Sequence, residues 1–124
     1  MILEANTRMI EPDIILCDVR GRLSLGNSLM SLENSIRKAI QGGARKIIFD
    51  LSKLSSIDSA GIGFLLSSSG LIEQNGGRML ISGAQGNVAH TFEIVHLDRV
   101  VSLLPDVDSA ILNFGSASGQ AAGS

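Results

Sequence analysis

Tryptophan and tyrosine are both missing from this chain of 124 residues, and cysteine occurs once and proline twice. With so few rings, aromatic platforms for stacking nucleic-acid bases are not expected. Phe49, Phe64, Phe92 and Phe114 are then the only rings available to an otherwise aliphatic core. A lone Cys17 excludes an internal disulfide and fits a reducing compartment. Within Ile14-Ile15-Leu16-Cys17 it reads as a small buried apolar side chain. Charge of one sign is also scarce. Ten basic residues stand against twelve acidic ones, for a net charge of −2, and no basic cluster is longer than a pair, which disfavours non-specific nucleic-acid binding. No apolar run approaches the roughly 18 residues a membrane span needs. Glu4, Arg8 and Glu11 arrive too early for the apolar core of a signal peptide. The expectation is a cytoplasmic chain with no insertion into a membrane.

What is present is enough apolar material, 44%, for the core of one globular domain. Residues 2 to 10 and 13 to 20 read as two strands joined around Pro12-Asp13, close enough to pair as an antiparallel hairpin. Gly26 and Asn27 open a helix with the stripe Leu29, Leu32, Ile36, Ala39 and Ile40, and with Glu33 and Arg37 paired four apart on its wet side; Gly42-Gly43 close it. A buried strand is expected at 45 to 51, a helix from about 60 to 74, a strand at 78 to 82 after Asn75-Gly76-Gly77, a helix near 85 to 95 and a short strand at 99 to 103. Pro105 stops that strand, and Asp106 caps a last helix with Val107, Ala110, Ile111 and Phe114 on one face. This alternation predicts an α/β domain over residues 1–114. Its sheet has four or five strands, an antiparallel pair followed by mostly parallel strands, and about four helices mainly on one face. Residues 115–124 carry no charge and nothing larger than Gln, and read as a disordered tail.

The most informative stretch is Asp58-Ser59-Ala60-Gly61-Ile62-Gly63, set between the strand Lys46-Ile47-Ile48-Phe49-Asp50-Leu51 and the helical Phe64-Leu65-Leu66. There Asp58 or Ser59 can accept from the unpaired N–H groups of the first turn, and Gly61 and Gly63 let another backbone or an anion approach. A serine in this place is also a plausible phosphate acceptor, because the helix dipole and free amides favour added negative charge. In the helix that follows, Ile62, Leu65, Leu66, Ser69 and Ile72 form one face, while Phe64 and Leu71 lie about 100° or more round from its centre. Ser67, Ser68 and Gly70 are their small neighbours. Either flanking elements bury both sides, or Phe64 and Leu71 belong to a docking surface beside Ser59.

Enzyme chemistry finds little support. His90 and His96 are six apart with no cysteine pair or carboxylate cluster to join them, so no metal site is expected. Gly61-Ile62-Gly63 lacks the further glycine of a dinucleotide loop, and no Gly-Lys-Ser/Thr cradle for a nucleotide occurs. A nucleophilic Ser59 would need a base, and its nearest candidates in sequence are Asp58 and Asp50. The hydroxyl reads as a substrate, and no catalytic residue is expected.

Taken together, Gly21-Arg22-Leu23-Ser24-Leu25, Ile47-Ile48-Phe49-Asp50-Leu51-Ser52 and Ile57-Asp58-Ser59-Ala60-Gly61-Ile62-Gly63 resemble the STAS domain family, specifically bacterial anti-sigma factor antagonists. The resemblance continues through Gly76-Gly77-Arg78-Met79-Leu80 and Leu97-Asp98-Arg99-Val100. It implies that Ser59 is phosphorylated, within a neighbourhood formed by Asp58, Ala60, Gly61 and Gly63. It further implies a partner switch. The unmodified protein binds an anti-sigma factor, a serine kinase that carries ATP, and so releases a sigma factor; a metal-dependent serine phosphatase reverses the modification. ATP and metal belong to those partners, so no cofactor is expected here. The partner surface implied comprises Arg22, Ser24, Phe64, Ser67, Ser68 and Leu71. Many members carry a Gly-Glu-Leu-Asp-like acidic stretch where this chain has Gly21-Arg22-Leu23-Ser24, and Arg22 could instead pair with a phosphate. The alternative is an unphosphorylated STAS scaffold in a signalling or transport complex.

Overall fold

In the computed structural model, residues 3–123 are described, with side-chain surroundings through residue 115. Strand β1 (Glu4–Ile10) turns back into β2 (Ile14–Leu23), followed by α1 (Asn27–Gln41), β3 (Lys46–Ile57), α2 (Ser59–Gln74), β4 (Arg78–Ser82) and α3 (Gly86–Ile94). A 3-10 turn (Leu97–Arg99), β5 (Ser102–Leu104) and α4 (Val107–Gly123) complete the chain. The sheet runs in sequence order β1-β2-β3-β4-β5, with β1 antiparallel to β2 and the other pairs parallel, so five strands are formed with the hairpin at one edge. The tail expected over 115–124 falls almost wholly at positions whose side chains lie outside the described residues.

Alternation along the central strands divides the interior into two unequal layers. Cys17, Val19, Ile47, Phe49, Leu51, Met79 and Ile81 face α1, α2 and α3, together with Leu29, Ile36, Leu65, Ile72, Val88 and Phe92. Ile14, Leu16, Ile48 and Leu80 face the opposite way and are covered by Ala110 and Phe114 of α4. Three helices thus share one face and α4 closes the other. Asp106 caps α4, its side chain accepting from the Ser109 N–H at 2.8 Å. Burial leaves Cys17 wholly unexposed and, with the neighbouring charge of Asp18, pushes its thiol from the ordinary 9.0 up to about 12.

Two strands run further than their sequence indicates. β3 continues through Ser52–Ile57 and β2 through Gly21–Leu23, so that Arg22 pairs with Ser56 and Leu23 with Ile57, after register shifts between Asp18 and Arg20 and between Gly21 and Arg22. β4 stops opposite Asp50. The excess forms a two-stranded ribbon projecting past the rest of the sheet. Its polar Ser52, Lys53, Ser55 and Ser56 hide the strand in sequence, because only Leu54, Leu23 and half-buried Ile57 need an apolar environment here. On α1, Arg37 reaches Asn34 Oδ1 at 3.4 Å, and no ion pair with Glu33 forms among the described residues.

Candidate functional site at the ribbon tip and the start of helix α2

The ribbon delivers the chain to α2 through a single residue, Asp58, in extended conformation (φ −113°, ψ −175°). Asp58 is the cap. One carboxylate oxygen accepts from the Gly61 N–H at 2.9 Å and the other from the Leu25 N–H at 3.2 Å, so the same side chain closes the helix start and ties down the loop between β2 and α1. The Asp58 N–H donates back to the Leu23 carbonyl at 3.2 Å. Hydrogen bonds from backbone N–H groups, that of Gly61 first and then those of Leu25 and Ala60, hold this carboxyl below the usual range although some desolvation opposes them. A carboxylate committed in this way is a poor general base. The other sequence candidate, Asp50, accepts from the Ser52 N–H at 3.1 Å and from the Ser52 and Ser82 hydroxyls at 3.2 and 3.5 Å.

Gly61 is buried, and a Cβ at this position would overlap the Leu23 carbonyl and come within 2.7 Å of Ile57 Cγ1. Close approach of a backbone, anticipated for both glycines, is therefore the task of Gly61. Gly63 is exposed, with open space where its Cβ would be. Ser59 stands at the first helical position and is exposed. Since Asp58 provides the cap, the Ser59 hydroxyl is left outside the hydrogen bonding among the described residues. Ala60 is half-buried beside it.

The expected partner surface divides. Phe64 is 2% exposed and meets Phe49 edge-on, with ring centroids 5.6 Å apart at 84°, so it is core and not a docking anchor. Ser68 is buried as well. The reason is that α2 packs on the sheet and also against α1 beside it, so it is enclosed on two sides, which a helical wheel drawn from α2 alone does not reveal. Ser67 is exposed and Leu71 half-buried, and both line a groove of about 410 Å³ between α1 and α2 with Glu33, Ile36, Arg37 and Gln74. Arg22 is exposed with its Nε donating to Ser56 Oγ at 3.3 Å, and Ser24 is half-buried in the loop that Asp58 holds. Leu66, expected in the buried stripe, is instead 37% exposed. It shares an outward face with Ser59, Gly63, Ser67 and Gly70. The glycines at its helical neighbours Gly63 and Gly70 are the signal that could have found it.

This chain belongs to the STAS domain family, whose model matches residues 8–110. Solved structures of similar fold include RsbS from Moorella thermoacetica in a serine-to-glutamate variant, at 18% identity and a TM-score of 0.79, covering 92% of this chain and 97% of that one. An anti-sigma factor antagonist from Mycobacterium paratuberculosis aligns at 18% identity and a TM-score of 0.77, over 90% and 93% of the two chains. The Bacillus cell fate determinant SpoIIAA in its phosphorylated form aligns at 21% identity and a TM-score of 0.72, over 90% and 99%. At these identities the likeness is one of fold. Among the described residues, no helix is long and apolar enough to cross a membrane.

Proposed function

We propose that this chain is an anti-sigma factor antagonist that works in the cytoplasm by partner switching, with Ser59 as its regulatory phosphosite. The observation that carries the reading is the exposed Ser59 hydroxyl, left free at the first position of α2 because Asp58 has taken over the capping. Unmodified, the chain binds an ATP-bearing anti-sigma serine kinase through the outward face of α2 (Ser59, Gly63, Leu66, Ser67), the groove edge at Leu71, and Arg22 and Ser24 in the loop before α1. The kinase transfers phosphate to Ser59 and a metal-dependent serine phosphatase removes it. Ser59 accepts the phosphoryl group, and no base is required of this chain.

Magnitudes locate the switch at the interface. Phosphorylation adds about −1.5 to −2 charges. A negative charge at a helix N-terminus gains about 0.3–1 kcal/mol, or ~2 when partly buried. A thousandfold loss of affinity requires about 4 kcal/mol. The difference must come from repulsion and desolvation between the surfaces, with the Asp58 carboxylate adding its own charge beside the phosphate.

Incubating the protein with an anti-sigma kinase and ATP, followed by intact-mass measurement, tests the reading. One phosphate is expected on the wild type and none on Ser59→Ala, which should keep its fold and bind the kinase constitutively. Incorporation that persists in Ser59→Ala, at Ser56 or Ser67 for example, removes Ser59 from the role. The second reading, an unphosphorylated scaffold in a signalling or transport complex, is favoured by the basic Arg22 in a loop that many family members keep acidic. It predicts no incorporation at all.

A further inference from the structure

At the outer edge of the sheet, on the far side of β4 from the ribbon, α3 covers β5 incompletely. A groove of about 460 Å³ remains, floored by Ala84, Ala89, Phe92 and Leu103 and rimmed by Glu93, His96 and Asp98. Beside it the chain exposes unusual apolar surface, with Ile94 64%, Val95 45% and Val100 55% accessible. The arrangement is held by His96, whose left-handed backbone (φ 56°, ψ 44°) is rare for a residue with a side chain and turns the chain out of α3. The 3-10 turn that follows, with Arg99 N–H bonded to the His96 carbonyl and Val100 N–H to that of Leu97, leaves Arg99 and Val100 exposed next to each other. Arg99 has no ion pair among the described residues, where the pairs are Arg20–Asp18 and Lys46–Asp13.

We propose that this edge is a self-association surface: a second copy inserts its Val100 into the groove between α3 and β5, sets its Arg99 against Glu93 and Asp98, and receives the same contacts in return. An apolar groove with two carboxylates on its rim calls for an apolar knob adjoining a cation, and Arg99-Val100 is such a pair. Groove and knob are both carried by residues 84 to 103, so each copy brings both to the contact, as a two-fold interface requires. Side chains hold the pair together more than backbone does, because β5 is only three residues long and is followed at once by Pro105, which lacks an N–H. Neither groove nor knob includes a residue of α2 or of the loop before α1.

Sedimentation equilibrium of the full chain tests this between about 1 µM and about 1 mM, the range in which a modest interface associates. The expected result is a mass rising with concentration from one copy to two. Val100→Lys and Arg99→Glu should each raise the dissociation constant at least about tenfold without moving the melting temperature, since both residues are exposed. Combining Glu93→Arg with Arg99→Glu should recover most of the lost association, which a merely structural role would not give. A monomer mass throughout overturns the proposal and assigns the groove to another kind of partner. A dimer indifferent to both single substitutions overturns it too, by placing the contact elsewhere.

Discussion

The inner and outer flanks of α2 are built from similar residue types and do opposite work. The inner flank sets Phe64, Leu65, Ser68, Ser69 and Ile72 against the sheet and α1, and the outer flank presents Ser59, Gly63, Leu66, Ser67 and Gly70 to solvent. Each contains large apolar surface and serine. What separates them is the position of α1, which covers the side of α2 where Phe64 sits and leaves the side where Leu66 sits open. Hydrophobicity alone thus does not mark a docking surface here; exposure next to a phosphorylatable hydroxyl does.

The largest expected effect tests that division directly. Phe64→Ala should cost about 3–5 kcal/mol by removing a buried ring that packs on Phe49. Leu66→Ala should stay within about 0.5 kcal/mol of wild type and lose partner affinity instead. Urea unfolding followed by circular dichroism gives both stabilities, and equal losses would erase the distinction between the flanks. Next in size is Gly61→Ala, where the added methyl meets the Leu23 carbonyl and should cost about 1–3 kcal/mol. Its outer counterpart Gly63→Ala, with open space for the methyl inside a helix, should gain about 0.4–1 kcal/mol. A stable Gly61→Ala variant would mean that the ribbon tip yields easily to the helix start.

Asp58→Ala is the third test, with an expected loss of about 0.5–2 kcal/mol for the missing cap. Its sign with pH follows from the lowered carboxyl of Asp58. The stabilisation is present above the ordinary carboxylate range and is lost as pH falls through the lower value of the folded state. The gap between wild type and variant should therefore be full at neutral pH and close in acid. A gap that stays constant down to the acid transition would take the charge out of the capping.

The succession of strands along the chain, their direction, the first hairpin and the helix start at Asp58-Ser59 were legible because apolar periodicity and turn residues agree along most of the chain. Other features were not, among them the start of β5, expected at 99 but found at Ser102 after the 3-10 turn Leu97–Arg99. Phe64 and Ser68 needed knowledge of which elements flank α2, and no single-helix pattern contains it. The ribbon at Ser52–Ile57 was hidden because a two-stranded extension buries few side chains and its bulges break the alternation. Between Asp58 and Ser59 either side chain could cap; the structure gives the Gly61 N–H to the aspartate, which the Leu25 N–H from the preceding loop also holds.

The sealed thiol of Cys17 has a practical consequence. A chain without tryptophan or tyrosine is nearly silent to intrinsic fluorescence, so its unfolding is awkward to follow at low concentration. Cys17 makes up for this, because the thiolate is the reactive species and the folded state both shields the sulfur and, by burial, disfavours its ionisation. A thiol reagent at mildly alkaline pH can label it only in molecules that have opened around the middle of β2. The rate of mass gain then serves as an unfolding clock already present in the native sequence, recording core opening without an engineered probe.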